Sequence, residues 1–408
     1  MHNSYDNNSG SRRQKLNSRL KHKQRQEEEL KKAPKAMLRG AVAATAAKKK
    51  VTLDDLKENL QTAMELEHST IPPYLCALYS IKEGKNMMAA EIVKSVVIEE
   101  MLHMVMVANL INAVGGKPII GKTKGKPFIP SYPTHLPGNV DKDLIINLTS
   151  LTKKQVGVFC KIEHPGDEER DIRVQLRSND GDTEFASIGA FYEAVMEQIE
   201  TLEAVAQKKG KTIFTGKTKQ VTPEHYYGAG GSIINVHNIE DARAVIDEIV
   251  DQGEGSFGSI FADPYQEGEE EYLWFGADVE EYAHYFRFKE VQFGRFYKPT
   301  DSAHRDSPNG GLPTGEKIDI DWNDVYIMND NPKMADYPKG SEVYQKMYDF
   351  NKTYCNLLEN LDEGCNGNPD ILREGIMIMF DMKYKAQELM KIPGNNGLAA
   401  GPSFEYID

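Results

Sequence analysis

Apolar residues recur at three- and four-residue steps over several long stretches of the chain. From Val51 to Ile81, Leu53, Leu56, Leu60, Ala63, Tyr74 and Ile81 fall on one stripe, and Thr52 followed by Asp54 and Asp55 is a start signal. This pattern predicts a helix over 52–82. After a break at Glu83–Asn86 that contains Gly84, a second helix is predicted over 87–114. Its stripe is Ala89, Val93, Val96, Val107, Leu110 and Val114, and Gly115-Gly116 with Pro118 end it. Residues 117–183 change character: Gly, Pro and short β-like runs (Leu144–Leu148, Val156–Ile162) read as a long crossover. A third helix follows over 184–208. A mixed insertion over 209–275 comes next, with the Gly-rich Gly228–Gly231, a short helix near Asp241–Val250 and an acidic loop around Glu267–Glu271. A fourth helix is predicted over 278–296, and two amphipathic helices close the chain over 342–361 and 370–390. The fold class is mainly α: a four-helix bundle with a long crossover, carrying irregular and β insertions and two additional C-terminal helices, all in one domain over 51–408.

The balance of residue types is globular, with 40% of the 408 residues hydrophobic and 27% charged. The net charge of −13 argues against a general nucleic-acid binder, which needs a positive face. It is also unevenly spread. Residues 1–50 hold 14 Lys/Arg against 4 acidic groups, which leaves 35 basic and 58 acidic for the rest. That basic segment has almost no large apolar residue before Met37 and reads as a disordered tail: a solvating extension, a targeting segment, or a docking arm for an acidic partner. No membrane span is expected, since no uncharged apolar run is long enough. Four cysteines without metal-type spacing suit a cytoplasmic, intracellular setting.

The chemistry lies in carboxylates placed on apolar stripes. Glu67 shares the stripe of Leu56, Leu60, Ala63 and Tyr74, whereas Glu65 lies with Glu58, Gln61, Thr62 and Ser69 on a polar one. A carboxylate buried alone is costly and calls for a cation, a proton or several donors. On the second helix, Glu100-Met-Leu-His103 puts a carboxylate and an imidazole side by side on the stripe of Val93, Val96, Val107 and Leu110. Glu99 faces another way, as a supporting or surface group. On the fourth helix, Glu281-Tyr-Ala-His284 repeats the spacing beside Ala277, Phe288 and Val291. On the third, Glu193 lies beside Gly189, Tyr192 and Met196, with Glu197 and Glu200 near the same face. One Glu from each of two helices and a Glu-x-x-His from each of the other two is the ligand set of carboxylate-bridged dinuclear bundles, here for two Fe ions or Mn. About one Glu-x-x-His is expected by chance and three occur, counting Glu65-Leu-Glu-His68, so the argument rests on two motifs aligned with apolar stripes. The plain alternative is that these groups are solvated or form buried ion pairs.

Pro72-Pro73 fall just past Glu67 and remove the N–H groups that would bond back to His68 and Ser69. Either the helix breaks there, or a bend opens a cavity beside the metals. His225-Tyr226-Tyr227 before Gly228-Ala-Gly-Gly231 reads as a loop near a site or as a simple glycine turn. Arg287 either holds a substrate carboxylate or forms an ion pair.

The segment Glu65-Leu-Glu-His-Ser-Thr-Ile-Pro-Pro-Tyr-Leu75 resembles the start of the ferritin-like domain of the iminophenylpyruvate dimer synthase and chromopyrrolate synthase family, which acts in violacein and rebeccamycin-type biosynthesis. The similarity runs through Ile98-Glu-Glu-Met-Leu-His103, Ser187-Ile-Gly-Ala-Phe-Tyr-Glu193, Ile213-Phe-Thr-Gly216, Gln252-Gly-Glu-Gly255 and His284-Tyr-Phe-Arg-Phe288. It ends in Asn366-Gly-Asn-Pro369 and Gly401-Pro-Ser-Phe-Glu-Tyr406, and so spans about residues 51–408. It implies a ferritin-like fold with metal-binding roles for Glu67, Glu100, His103, Glu193, Glu281 and His284. The named enzymes are longer chains that couple two imines derived from aromatic amino acids.

The leading expectation is therefore a non-haem dinuclear-metal oxidoreductase acting on a small organic, amino-acid-derived substrate, with a homo-oligomer left open. The alternatives are a metal-storage ferroxidase and a structural scaffold that keeps the fold and uses its basic tail for docking.

Overall fold

The computed structural model describes residues 51–123, 126–166, 183–216, 218–226, 230–255, 260, 262 and 282–407. The basic segment 1–50, the acidic loop Glu267–Glu271, Tyr227–Ala229 and residues 278–281, including Glu281, lie outside the described residues.

Helix α1 (Leu53–Ser80) opens with a capping box: the Asp55 amide donates to Thr52 Oγ1 at 3.2 Å, and the Thr52 amide donates to Asp55 Oδ2 at 2.8 Å. Helix α2 (Met87–Ala113) packs along α1 and is buried on nearly every side beyond Ile92. It is long and apolar enough to cross a membrane, but 89% of its most apolar window is buried, so the bundle core accounts for that hydrophobicity. Gly115, in the left-handed region at φ +70°, ends α2, and the Gly116 amide returns to the Ile111 carbonyl at 2.8 Å. Gly216 closes the same end: its amide donates to the Ala113 carbonyl, and a Cβ there would fall 1.8 Å from the Asn112 carbonyl oxygen.

The stretch expected to be β-like at Val156–Ile162 is instead helix α3 (Lys153–Ile162). Thr152 caps it by accepting from the Gln155 amide at 3.1 Å, and Val156, Phe159 and Cys160 bury one face. Val, Phe and Ile favour strands on propensity, but the cap and the three-to-four-residue spacing of buried positions prevail. Leu144–Leu148 forms no strand. Ile146 makes a single bridge to Thr134, and strands among the described residues are confined to β1 (Lys122–Thr123) and β2 (Lys126–Pro127).

Helices α4 (Ile188–Gln207) and α5 (Ile239–Gly253) pack on each other, as do α3 and α6 (His284–Phe293). The C-terminal pair is α7 (Glu342–Cys365) and α8 (Leu372–Met390), with α8 touching α1 and α7 touching α2. Helix α1 runs through Pro72 and Pro73 without a break. The Ser69 carbonyl, which Pro73 leaves without an amide donor, accepts instead from the Tyr132 hydroxyl at 2.8 Å.

Candidate metal centre

Five buried side chains from four helices meet between α1, α2, α3 and α6. Glu67 comes from α1, Glu100 and His103 from α2, Glu163 from the C-cap of α3, and His284 from the first residue of α6. None is more than 3% exposed. They form two groups, Glu67–Glu100–His103 and Glu100–Glu163–His284, and within each the candidate ligand atoms lie within 4.8 Å of one another. Glu100 is common to both: its Oε1 lies 2.9 Å from His284 Nδ1 and 3.9 Å from His103 Nδ1. Glu67 Oε2 is 3.4 Å from His103 Nδ1, and Glu163 Oε2 is 3.5 Å from His284 Nδ1. The imidazoles stack at 5.6 Å between centroids.

Each of these groups is also held from behind. Tyr192 on α4 donates its hydroxyl to Glu67, and Tyr74 on α1 donates to Glu163. Burial pushes both phenols well above their ordinary pKa, and the adjacent carboxylates push them further, so both stay protonated donors. Thr70 Oγ1 donates to Glu100 Oε2 at 2.6 Å. His103 Nε2 donates to Gln252 Oε1 at 2.8 Å. The amide of Gln252 is oriented by its own donations to Glu248 and to the Gly230 carbonyl. His284 Nε2 donates to Glu99 Oε2 at 2.9 Å. Arg287 grips the same carboxylate through both terminal nitrogens and reaches Ser95 at 2.8 Å. These anchors fix the proton on Nε2 and turn both Nδ1 atoms inward.

The electrostatics leave the middle of the centre short of positive charge. Burial alone would raise Glu99, but Arg287 and His284 outweigh it and hold the carboxyl well below its usual range. Glu100 is raised to about 7, by burial first and by the charge of Glu163 next. Burial would lower both imidazoles. The surrounding carboxylates reverse this, lifting His103 above its ordinary value and His284 well above it. His284 Nδ1 is buried without a hydrogen-bond partner despite its closeness to two carboxylates. An inward Nδ1 among carboxylates, drawn to hold a proton in the metal-free state, is the arrangement in which a shared cation can take the proton's place, and carboxylates with imidazoles and no thiolate suit iron or manganese. The residues fit such a centre.

Of the side chains read from the sequence, Glu67, Glu100, His103 and His284 converge, and Glu281 lies outside the described residues. Glu193 does not join them. It is exposed on the outer face of α4, whose inner face carries Tyr192, Val195, Met196 and Ile199. Its expected place is taken by Glu163, which the β-like reading of α3 concealed. The available signal was a carboxylate one turn beyond Phe159 and Cys160 in a stretch with a Thr-x-x-Gln start. Arg287 is an ion-pairing residue, and Glu99 is the group it pairs with. His68, of the third Glu-x-x-His, points elsewhere. It bonds Tyr354 at 2.5 Å, and burial depresses its pKa to about 3. A cavity of about 550 Å³ opens on the polar stripe of α1, between Asn59, Thr62 and Glu65 and the side chains of Phe191 and Gln198 on α4. None of the five converging residues lines it, so it is not the metal-side cavity expected from a proline bend.

The Ferritin-like family matches residues 60–292, a span that includes all five converging side chains. The chain belongs to the ferritin-like family. A crystal structure of a ferritin-like protein from Caulobacter vibrioides shares the fold, with a TM-score of 0.56 and 23% identity over 88% of this chain and 99% of that one. Comparison with curated proteins finds no match. In this ferritin-like protein the converging carboxylates and imidazoles are drawn from α1, α2, α3 and α6, with α4 and α5 as supports and α7 and α8 outside the matched span.

Proposed function

We propose that this ferritin-like protein is a non-haem dinuclear-metal oxidoreductase acting on a small organic substrate. The observation that carries the reading is Glu100, a single buried carboxylate shared by two histidine–carboxylate groups. Glu67 and His103 would hold one cation, Glu163 and His284 the other, and Glu100 would join them. A pair of iron or manganese ions, when bound there, supplies redox chemistry toward dioxygen or a peroxide. The chain's own groups do the rest. Tyr74 and Tyr192 keep the outer carboxylates oriented, Gln252 and Glu99 keep both Nδ1 atoms aimed inward, and near-complete burial excludes bulk water. The residue stretches that resemble the imine-coupling synthases support an amino-acid-derived substrate.

The test is elemental analysis of anaerobically loaded protein, followed by oxygen-consumption measurements with and without imines of aromatic amino acids. About two Fe or Mn per chain, lost in the Glu100→Ala/His103→Ala double variant, and oxygen uptake that depends on the organic substrate are expected. Undiminished metal in that variant overturns the assignment. Iron accumulation far beyond two per chain favours storage instead, and absence of metal favours a scaffold.

A further inference from the structure

The two halves of the centre are matched in their inner groups. Each has one imidazole Nδ1, one outer carboxylate held by one tyrosine hydroxyl, and a share of Glu100. They differ in what anchors the imidazole. Behind His103 is Gln252, a neutral amide whose donor side is spent on Glu248 and the Gly230 carbonyl. Behind His284 is Glu99, a carboxylate fixed by two nitrogens of Arg287 and by no more than 1% exposed to solvent. A carboxylate that accepts from the outer N–H pushes electron density onto the inner nitrogen and makes it a stronger donor to a cation, and an amide does so far less. Arg287 offsets part of the Glu99 charge, but its two contacts keep the carboxylate from swinging away from His284 Nε2, where it still accepts at 2.9 Å.

Resting on the dinuclear reading above, we infer that the two cation positions are inequivalent and that the one served by His284 and Glu163 fills before the one served by His103 and Glu67. Glu99 and Gln252 are positioning residues that set the order. Exchange of an outer partner of this kind typically changes metal affinity by about 10–100-fold.

Metal-free full-length protein titrated with Mn(II), followed calorimetrically and by electron paramagnetic resonance, should bind in two steps separated by roughly 10-fold or more. His284→Ala should remove the tighter step and His103→Ala the weaker. Glu99→Gln should weaken the tighter step and narrow the gap. Gln252→Leu should weaken the other step and widen it. Because Glu99→Gln leaves buried Arg287 short of its anion, the Gln252→Leu arm tests the same order without disturbing that pair. Two equal steps in the wild type, the opposite assignment in the histidine variants, or a Gln252→Leu protein with an unchanged gap overturns the inference while leaving the dinuclear reading standing. Failure of the wild type to bind Mn(II) at all overturns both.

Discussion

Replacing Glu163 by glutamine separates the electrostatic and ligand roles of the centre in one variant. Glu163 Oε2, Glu100 and His284 Nδ1 lie within 4.8 Å of one another. At that separation two ionised carboxylates repel by about 3 kcal/mol for an effective dielectric near 20. Part of that is already relieved in metal-free protein, because Glu100 is raised to about 7 and holds a proton over much of the neutral range. Glutamine keeps the acceptor for Tyr74 but loses the assistance of its charge, about 1 kcal/mol. With His284 neutral, the balance predicts metal-stripped Glu163→Gln to be about 1–2 kcal/mol more stable than wild type; where His284 is protonated, loss of its attraction to Glu163 Oε2 at 3.5 Å offsets that gain. Metal should act in the opposite sense. Wild type gains about 2.7 kcal/mol when free metal is 100-fold above its dissociation constant, and the variant should gain much less. Chemical denaturation followed by circular dichroism, with and without Mn(II), measures both. A stripped variant less stable than wild type at a pH where His284 is neutral would refute the repulsion argument, and a full Mn(II) response would refute the ligand role.

Other outcomes follow from single contacts. Tyr132→Phe leaves the buried Ser69 carbonyl beside Pro73 without its donor and should cost about 1–3 kcal/mol in the same denaturation assay. Glu193→Gln alters an exposed position on α4. It should leave metal content unchanged and stability within about 0.5 kcal/mol, the reverse of its expected effect as a ligand. Glu254 caps the start of α4 through the Gly189 amide. Burial, against that hydrogen bond and one from Ser187, raises it from an ordinary 4.5 to about 7. The stability tied to its proton is full below 4.5 and lost as pH rises through 7, about 3 kcal/mol at roughly 1.4 kcal/mol per pH unit. Glu254→Gln should flatten the stability–pH profile over that window, and an unchanged slope would count against this origin.

Periodicity was enough to place α1 and α2, since both bury a stripe or more of a long regular segment whose ends carry local signals: the Thr52–Asp55 box and Gly115. It also singled out Glu67, Glu100, His103 and His284, because a carboxylate or imidazole on an apolar stripe is costly unless something inside pairs with it. The third helix that contributes a side chain to the candidate centre was misread. A ten-residue helix offers few turns in which a period can show, and β-branched and aromatic residues mimic a strand. Glu193 drew attention because α4 is long and amphipathic. Yet a face can be buried without facing the centre, and Tyr192 is what α4 contributes there. Gln252, Glu99, Arg287 and Tyr74 had no local signature for their partners, which lie up to 192 residues away along the chain. Local sequence records which faces are apolar and where helices start and stop. The pairing of faces, and with it the choice of Glu163 over Glu193, arises from long-range packing, whose energy is shared among contacts that no short segment contains.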